Sequence, residues 1–197
     1  LVPMLVPGVN THEIGDLLRF AIQNSPAVRG VHFQPASYFH RAAAMDDAAR
    51  YTLDQLMLDI ETQTNGLIPK EHLLPSCCDH ARCGFHADYM VAPGGLLQLK
   101  KKEQTASCCG GDDAHIKNRR FVARRWERPQ GVAAPQSIRA MGDFLARVKT
   151  HGFTVTAMAF MDPMTLDLER LKKCSLHVYE GSGRFVPFCA HYIFGAR

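Results

Sequence analysis

LVPMLVPGVNTHEIGDLLRFAIQNSPAVRGVHFQP, Leu1 to Pro35, sets two apolar runs on either side of one helical period, and its reading decides the fold. LVPMLVPG is a short continuous apolar run ended by glycine, the pattern of a strand buried on both faces. Asn10-Thr11 then offers a helix cap with Glu13 in the first turn, and Ile14, Leu17, Leu18, Ala21 and Ile22 recur at helical spacing before Asn24-Ser25-Pro26 ends the helix. VRGVHFQP, from Val28, is a second run of the buried-strand type. The three elements read as one strand-helix-strand unit with parallel strands, which predicts an α/β fold, because such units do not occur alone. The first residue already stands inside the first strand, so the chain is expected to be a fragment of a longer protein.

Working outward, Arg41 to Arg50 is an alanine-rich polar connection, and Thr52-Leu53-Asp54-Gln55 is a capping box opening a second amphipathic helix. That helix carries Leu53, Leu56, Met57 and Ile60 and is closed by Asn65-Gly66. A cysteine region follows from Leu74 to Val91, with spacings that suit a loop wrapped around a bound centre. Pro93 to Gly131 is glycine-rich and basic, and loops with short elements are expected there. Ser137 to His151 predicts a third helix with Ile138, Met141, Phe144, Leu145 and Val148 on one face, and VTAMAFMD, from Val155, predicts a further strand.

The chain has 197 residues, of which 46% are hydrophobic and 21% charged, an ordinary globular make-up that argues against gross disorder. No apolar run reaches the roughly 18 residues of a membrane span, and the N-terminal run lacks a basic leader. Seven cysteines, an odd number, point to reduced thiols and a cytoplasmic setting rather than to a disulfide framework. Between Gln98 and Gln130 stand nine Lys or Arg, Arg124 and Arg125 among them, against four acids, an excess above the net charge of +4 for the whole chain. Such a stretch reads as a solvated surface or a site for an anionic partner; no recognised module accompanies it, so nucleic-acid binding is not expected.

CSLHVYEGSGRFVPFCAHY, Cys174 to Tyr192, carries the chemistry. LHVY and RFVPF are β-type runs joined by a turn at Glu180 to Gly183, so a simple hairpin sets Cys174 and Cys189 opposite one another. Facing Cβ atoms lie about 4.5 to 5.5 Å apart, close enough for the sulfurs to share a disulfide, a metal ion or an iron-sulfur cluster. Cys77, Cys78 and Cys83 form a second group in PSCCDHARCGFHADY, and Cys108-Cys109 a third. No pair of CxxC knuckles marks a zinc ribbon and no compact ferredoxin run is present, which leaves an iron-sulfur centre, zinc and buried thiols as readings. His80, His86, His177 and His191 lie near these cysteines, each either a half-buried histidine with a backbone partner or a ligand. His191 and Tyr192 are also placed to donate hydrogen bonds to sulfur.

The Leu1 to Ser37 unit resembles the last two strands of the six-stranded partial barrel of radical S-adenosylmethionine (radical SAM) enzymes. PSCCDHARC and the Cys174 to Tyr192 hairpin resemble the C-terminal auxiliary-cluster region of the branch that includes archaeal pterin-precursor methyltransferases and tetraether lipid synthases. The resemblance covers Leu1 to Arg41, Leu74 to Val91 and Lys173 to Tyr192. It implies residues 1–41 as the end of a partial (β/α)6 barrel and 42–197 as an α+β domain with a C-terminal β-hairpin that holds an auxiliary [4Fe-4S] cluster and substrate. It implies reductive cleavage of S-adenosylmethionine to a 5′-deoxyadenosyl radical and then methylation or carbon-carbon bond formation.

Carried over residue by residue, Cys78 and Cys83 match the first pair of auxiliary ligands, with Cys77 a competitor for Cys78, and Cys174 and Cys189 match the second pair. Val6, Gly8 and Asn10 fall where the barrel contacts S-adenosylmethionine, and a turn and helix cap is the other reading of Gly8 and Asn10. The implied partners are a small-molecule or lipid-like substrate, anionic if the basic stretch holds it, and an electron donor of the ferredoxin or flavodoxin type. The chain departs from the family in having no CxxxCxxC run. Radical generation is therefore expected of the longer protein and not of this chain alone. The alternative from another class is a non-catalytic redox or zinc-binding domain.

Overall fold

The structure, a computed structural model, describes residues 1–39, 50–75, 80–99, 123 and 135–195. Cys77, Cys78, Cys108, Cys109 and the basic run from Lys100 to Arg128 lie outside the described residues. The first strand-helix-strand unit is β1 (Met4–Leu5), α1 (Ile14–Gln23) and β2 (Gly30–Pro35), and β1 pairs with β2 in parallel, Met4 against Gln34. β1 is shorter and more open than its apolar run predicts: Leu5 is buried, but Val2 and Met4 are 66% and 60% exposed. The expected burial on two faces fails because Leu5 faces the helices whereas Val2 and Met4 alternate to the opposite face and are exposed there.

The capping box of α2 (Leu53–Gln63) forms as the sequence predicts, Thr52 and Gln55 each bonding the other's backbone. Downstream come β3 (Leu74–Pro75), β4 (Gly84–Ala92), β5 (Gly95–Gln98), α3 (Met141–His151) and β6 (Gly152–Met158). β6 pairs in parallel with β2, Val31 against Val155, and antiparallel with β4, Ala87 against Val155. Among the described residues the result is one mixed six-stranded sheet in the order β1-β2-β6-β4-β3, with β5 also on β4, in an α/β arrangement.

Alternation along the strands sorts residues between two faces. Val31 and Phe33 of β2, Phe85, Ala87 and Tyr89 of β4, and Phe153, Val155 and Ala157 of β6 pack under Ile14, Leu18 and Ala21 of α1 and Leu56 and Ile60 of α2. The cysteine region gives way, one residue after Cys83, to a strand, β4, which the sequence reading did not single out. Phe85, Ala87 and Tyr89 alternate with His86 and Asp88, a period-two pattern that outweighs the cysteines just before it. α3 begins at Met141, four residues after the predicted start, where the Asp143 carboxylate accepts the Arg139 and Ala140 N–H groups. Its predicted apolar face is open to solvent at Met141 and Leu145, whereas Arg147 is buried and donates to the Val91 and Pro135 carbonyls.

α1 meets the end of α2 at Gly15, whose N–H donates to Gln63 Oε1 at 3.0 Å. A Cβ built on Gly15 would stand 2.4 Å from the Gln63 carbonyl oxygen, so the helices reach this distance only with glycine there. Gly15→Ala is expected to cost about 1–3 kcal/mol in urea unfolding. Gly142→Ala, in the open first turn of α3 with no atom near its Cβ, is expected to stay within about 0.5 kcal/mol of the parent.

Candidate functional site

Because β1, β2 and β6 run in parallel, their C-terminal ends lie along one edge of the sheet, the edge where open α/β folds place their ligands. Val6, Gly8 and Asn10 stand at the end of β1. Asn10 does not cap the helix: its Oδ1 accepts the Val6 N–H at 2.9 Å and its Nδ2 donates to the Met4 carbonyl at 2.8 Å, closing a loop in which Gly8 takes a left-handed φ of +75°. The turn reading of Gly8 and Asn10 is thus realised in this loop, without the cap.

Past the end of β6, the segment Ala159 to Met161 collects two of the predicted cysteines. The Ala159 N–H donates to the Cys83 carbonyl at 2.9 Å, and the Met161 N–H donates to Cys189 Sγ at 3.3 Å. α4 (Leu168–Lys172) follows, capped by Asp167, whose carboxylate accepts the Glu169 and Arg170 N–H groups. Its Arg170 donates from Nε to Cys83 Sγ at 3.4 Å and from Nη2 to the Ala159 carbonyl at 2.8 Å. Cys174 comes one turn after α4, its N–H bonded to the Leu171 carbonyl.

The hairpin is built from β7 (His177–Tyr179) and β8 (Phe185–Pro187), a separate two-stranded sheet that pairs Tyr179 with Phe185. Extended past its ends, this register sets Cys174 against residue 190, so the predicted facing of Cys174 and Cys189 does not occur. β8 ends at Pro187, the Phe188 N–H makes one more bond to the Leu176 carbonyl at 2.9 Å, and the chain turns into α5 (Phe188–Phe194), which carries Cys189 in its first turn. The Cys174 thiol donates to the Leu176 carbonyl at 3.1 Å. Burial pushes the Cys189 thiol above its ordinary pKa and the neighbouring Cys174 and Cys83 thiols push it further, while the Met161 N–H and the Arg170 guanidinium pull against them. Cys83, Cys174 and Cys189 are unpaired as disulfides.

The histidines divide. His191 Nδ1 lies 2.6 Å from Glu180 Oε1 at the hairpin turn, and Arg184 also holds that carboxylate, so both draw Glu180 below its ordinary pKa. His191 therefore braces the hairpin against α5 instead of reaching sulfur through this nitrogen. His80 accepts the Arg82 N–H, a backbone partner, and His177 is exposed. His86 lies beside Thr156 on the sheet face away from the helices, as does His32, which bonds Thr156 Oγ1 at 2.9 Å. Among the described residues no group of three His, Cys, Asp or Glu side chains is arranged to hold a metal ion. The donor chemistry is of the kind a thiolate-bound centre uses: three thiols from two distant segments, two of them receiving hydrogen bonds, with Cys77 and Cys78 only a few residues before Cys83.

Beside this corner opens a cavity of about 510 Å³, with Leu53, Met57, Phe85 and Phe160 on its apolar wall and Arg50 and Arg170 among its polar groups. Asp162 is 1% exposed and organises one side of it. Its carboxylate accepts from Arg50, from the Tyr38 N–H, and from the Met164 and Thr165 N–H groups at 3.1 and 3.2 Å. The aromatic rings of Phe160, Phe188, Tyr192 and Phe39 stack in sequence against the same region, with Phe160 and Phe188 centroids 4.6 Å apart. Arg50, Asp162 and Arg170 are absent from the residues singled out in the sequence. Only Asp162 carried a signal, the Asp-Pro-Met-Thr turn pattern, whereas nothing local marks Arg170.

No protein-family model matches the chain. The chain is 25% identical, over 97% of its length, to 7,8-dihydro-6-hydroxymethylpterin dimethyltransferase of Methanocaldococcus jannaschii. It spans about half the length of this curated relative, 47%. No helix among the described residues is long and apolar enough to cross a membrane.

Burial raises the pKa of Asp162, but the hydrogen bonds and charge of Arg50, with those of Tyr38 and Thr165, carry it below the ordinary carboxylate value of 3.8. A lowered folded-state pKa means stability that is fully present above the unfolded value and is lost as pH falls through the folded one. Asp162→Asn is expected to lose about 3–5 kcal/mol near neutral pH, since it leaves Arg50 in a buried setting without its carboxylate. The variant is expected to show a smaller further loss than wild type as urea unfolding is followed below about pH 4.

Proposed function

We propose that this chain is the C-terminal part of a radical SAM methyltransferase and binds an auxiliary [4Fe-4S] cluster through Cys83, Cys174, Cys189 and either Cys78 or Cys77. The observation that carries the reading is the meeting of Cys83 and Cys189 on the three-residue segment after β6, at the edge of the sheet where the parallel strands end. The similarity to a methyltransferase over nearly the whole chain supports methyl transfer over carbon-carbon coupling.

In this reading, strands preceding Leu1 add to the open edge of β1 to complete the partial barrel and bring the CxxxCxxC motif. The Val6 to Asn10 loop contacts S-adenosylmethionine through its backbone. A ferredoxin- or flavodoxin-type donor supplies electrons in a reducing, cytoplasmic setting. When bound, the auxiliary cluster supplies an electron relay or a point of attachment for substrate.

The chain's own residues do the rest. The thiols, once deprotonated, anchor the cluster. The Met161 N–H and the Arg170 guanidinium disperse charge on sulfur. The cavity holds a small substrate between its apolar wall and the Arg50–Asp162 pair, and the stacked rings from Phe39 to Phe160 keep water from the reacting carbon.

Anaerobic expression followed by iron, sulfide and zinc analysis tests the reading. The wild-type chain is expected to carry about four irons and four sulfides with broad absorption near 400 nm, and Cys174→Ala/Cys189→Ala is expected to lose them. One zinc without sulfide, or no metal at all, would reject the cluster.

A further inference from the structure

We infer that Arg170 is a positioning residue that sets the electron affinity of the thiol centre, an inference that rests on the cluster reading above. Three observations carry it. Its Nε donates to Cys83 Sγ at 3.4 Å, and its charge also reaches the Cys189 thiol. Its orientation is fixed at both ends: Nη2 is bonded to the Ala159 carbonyl at 2.8 Å, and its own N–H is bonded to the Asp167 carboxylate that caps α4. Ala159 in turn holds the Cys83 backbone through its N–H, so one residue registers both the guanidinium and the backbone of the cysteine it serves.

Two of the neighbouring basic side chains are engaged elsewhere. Lys172 pairs with Glu169 at 2.7 Å, and Arg82 pairs with Asp167. Arg170 is half-buried and also borders the cavity, so the one guanidinium spans the space between the thiols and whatever the cavity holds.

Adding an electron to a thiolate-bound centre adds negative charge at its sulfurs. A fixed cation with an N–H directed at one of those sulfurs stabilises the reduced form more than the oxidised form and raises the reduction potential. Removing it reverses the effect. Arg170→Met is expected to retain the iron and sulfide of wild type while shifting the one-electron reduction equilibrium about tenfold toward the oxidised form, about 59 mV lower in potential. Arg170→Lys, which keeps the charge on a differently shaped head, is expected to fall between the two, and Lys172→Met to match wild type.

The measurement is anaerobic potentiometric titration followed by optical and electron paramagnetic resonance spectra. An Arg170→Met potential equal to wild type overturns the inference. If Arg170→Met fails to load iron, the lysine variant decides, because a potential equal to wild type there removes the requirement for the fork.

If wild type itself binds no cluster, the cluster reading fails. The inference about Arg170 then falls with it, whereas a loaded wild type whose potential Arg170→Met leaves unchanged overturns the inference alone.

Discussion

Both edges of β6 are occupied, β2 in parallel on one side and β4 antiparallel on the other, and this double pairing is the constraint on which the rest depends. Without β6, the N-terminal strand-helix-strand unit and the region around Cys83 would share no sheet. With it, the alternation of three strands is locked in phase, so Phe33, Ala157 and Phe85 all face the helices. A slip of one residue in either ladder would turn that whole set to the opposite face. The same register delivers the segment after β6 to the sheet edge where it bonds both Cys83 and Cys189.

The parts of the fold written in local pattern were legible. The parallel unit from Leu1 to Pro35, the Thr52 capping box and the Asn65-Gly66 stop each follow from residues within a few positions of one another. What was not legible depended on distant partners. The apolar run at the start looked buried on both faces, but a face is buried only by a layer packed over it, and Val2 and Met4 are exposed on the face opposite Leu5. β4 was hidden by the cysteines that precede it, although its alternation from Phe85 to Tyr89 was present to be read. α3 shows the limit of periodicity: its helical spacing is real, yet packing buries Arg147 and leaves Met141 exposed.

The site divides along the same line. Of the two cysteines that the hairpin reading selected, Cys189 reaches the segment that also bonds Cys83, but not by facing Cys174 across a ladder. The strand ends at Pro187, and it is the helical turn at Phe188 that brings Cys189 to the Met161 N–H. Arg170 and Asp162 belong to the site through contacts with residues far away in sequence or through a buried carboxylate, and single-chain patterns carry little of either. Their roles are electrostatic: one lays positive charge against sulfur, and the other keeps an arginine fixed at the cavity wall.

The hairpin belongs to a sheet of its own, tied to the larger one through side chains and the Cys189 contact instead of through a shared ladder. A two-stranded ribbon is marginal in water by itself. A ligand gripped at once by Cys83, just before β4, and by Cys174 and Cys189, which flank the hairpin, would act as a cross-link closing a very long loop. Part of its binding free energy would be expressed as cohesion between the two sheets and so as resistance of the C-terminal segment to proteolysis.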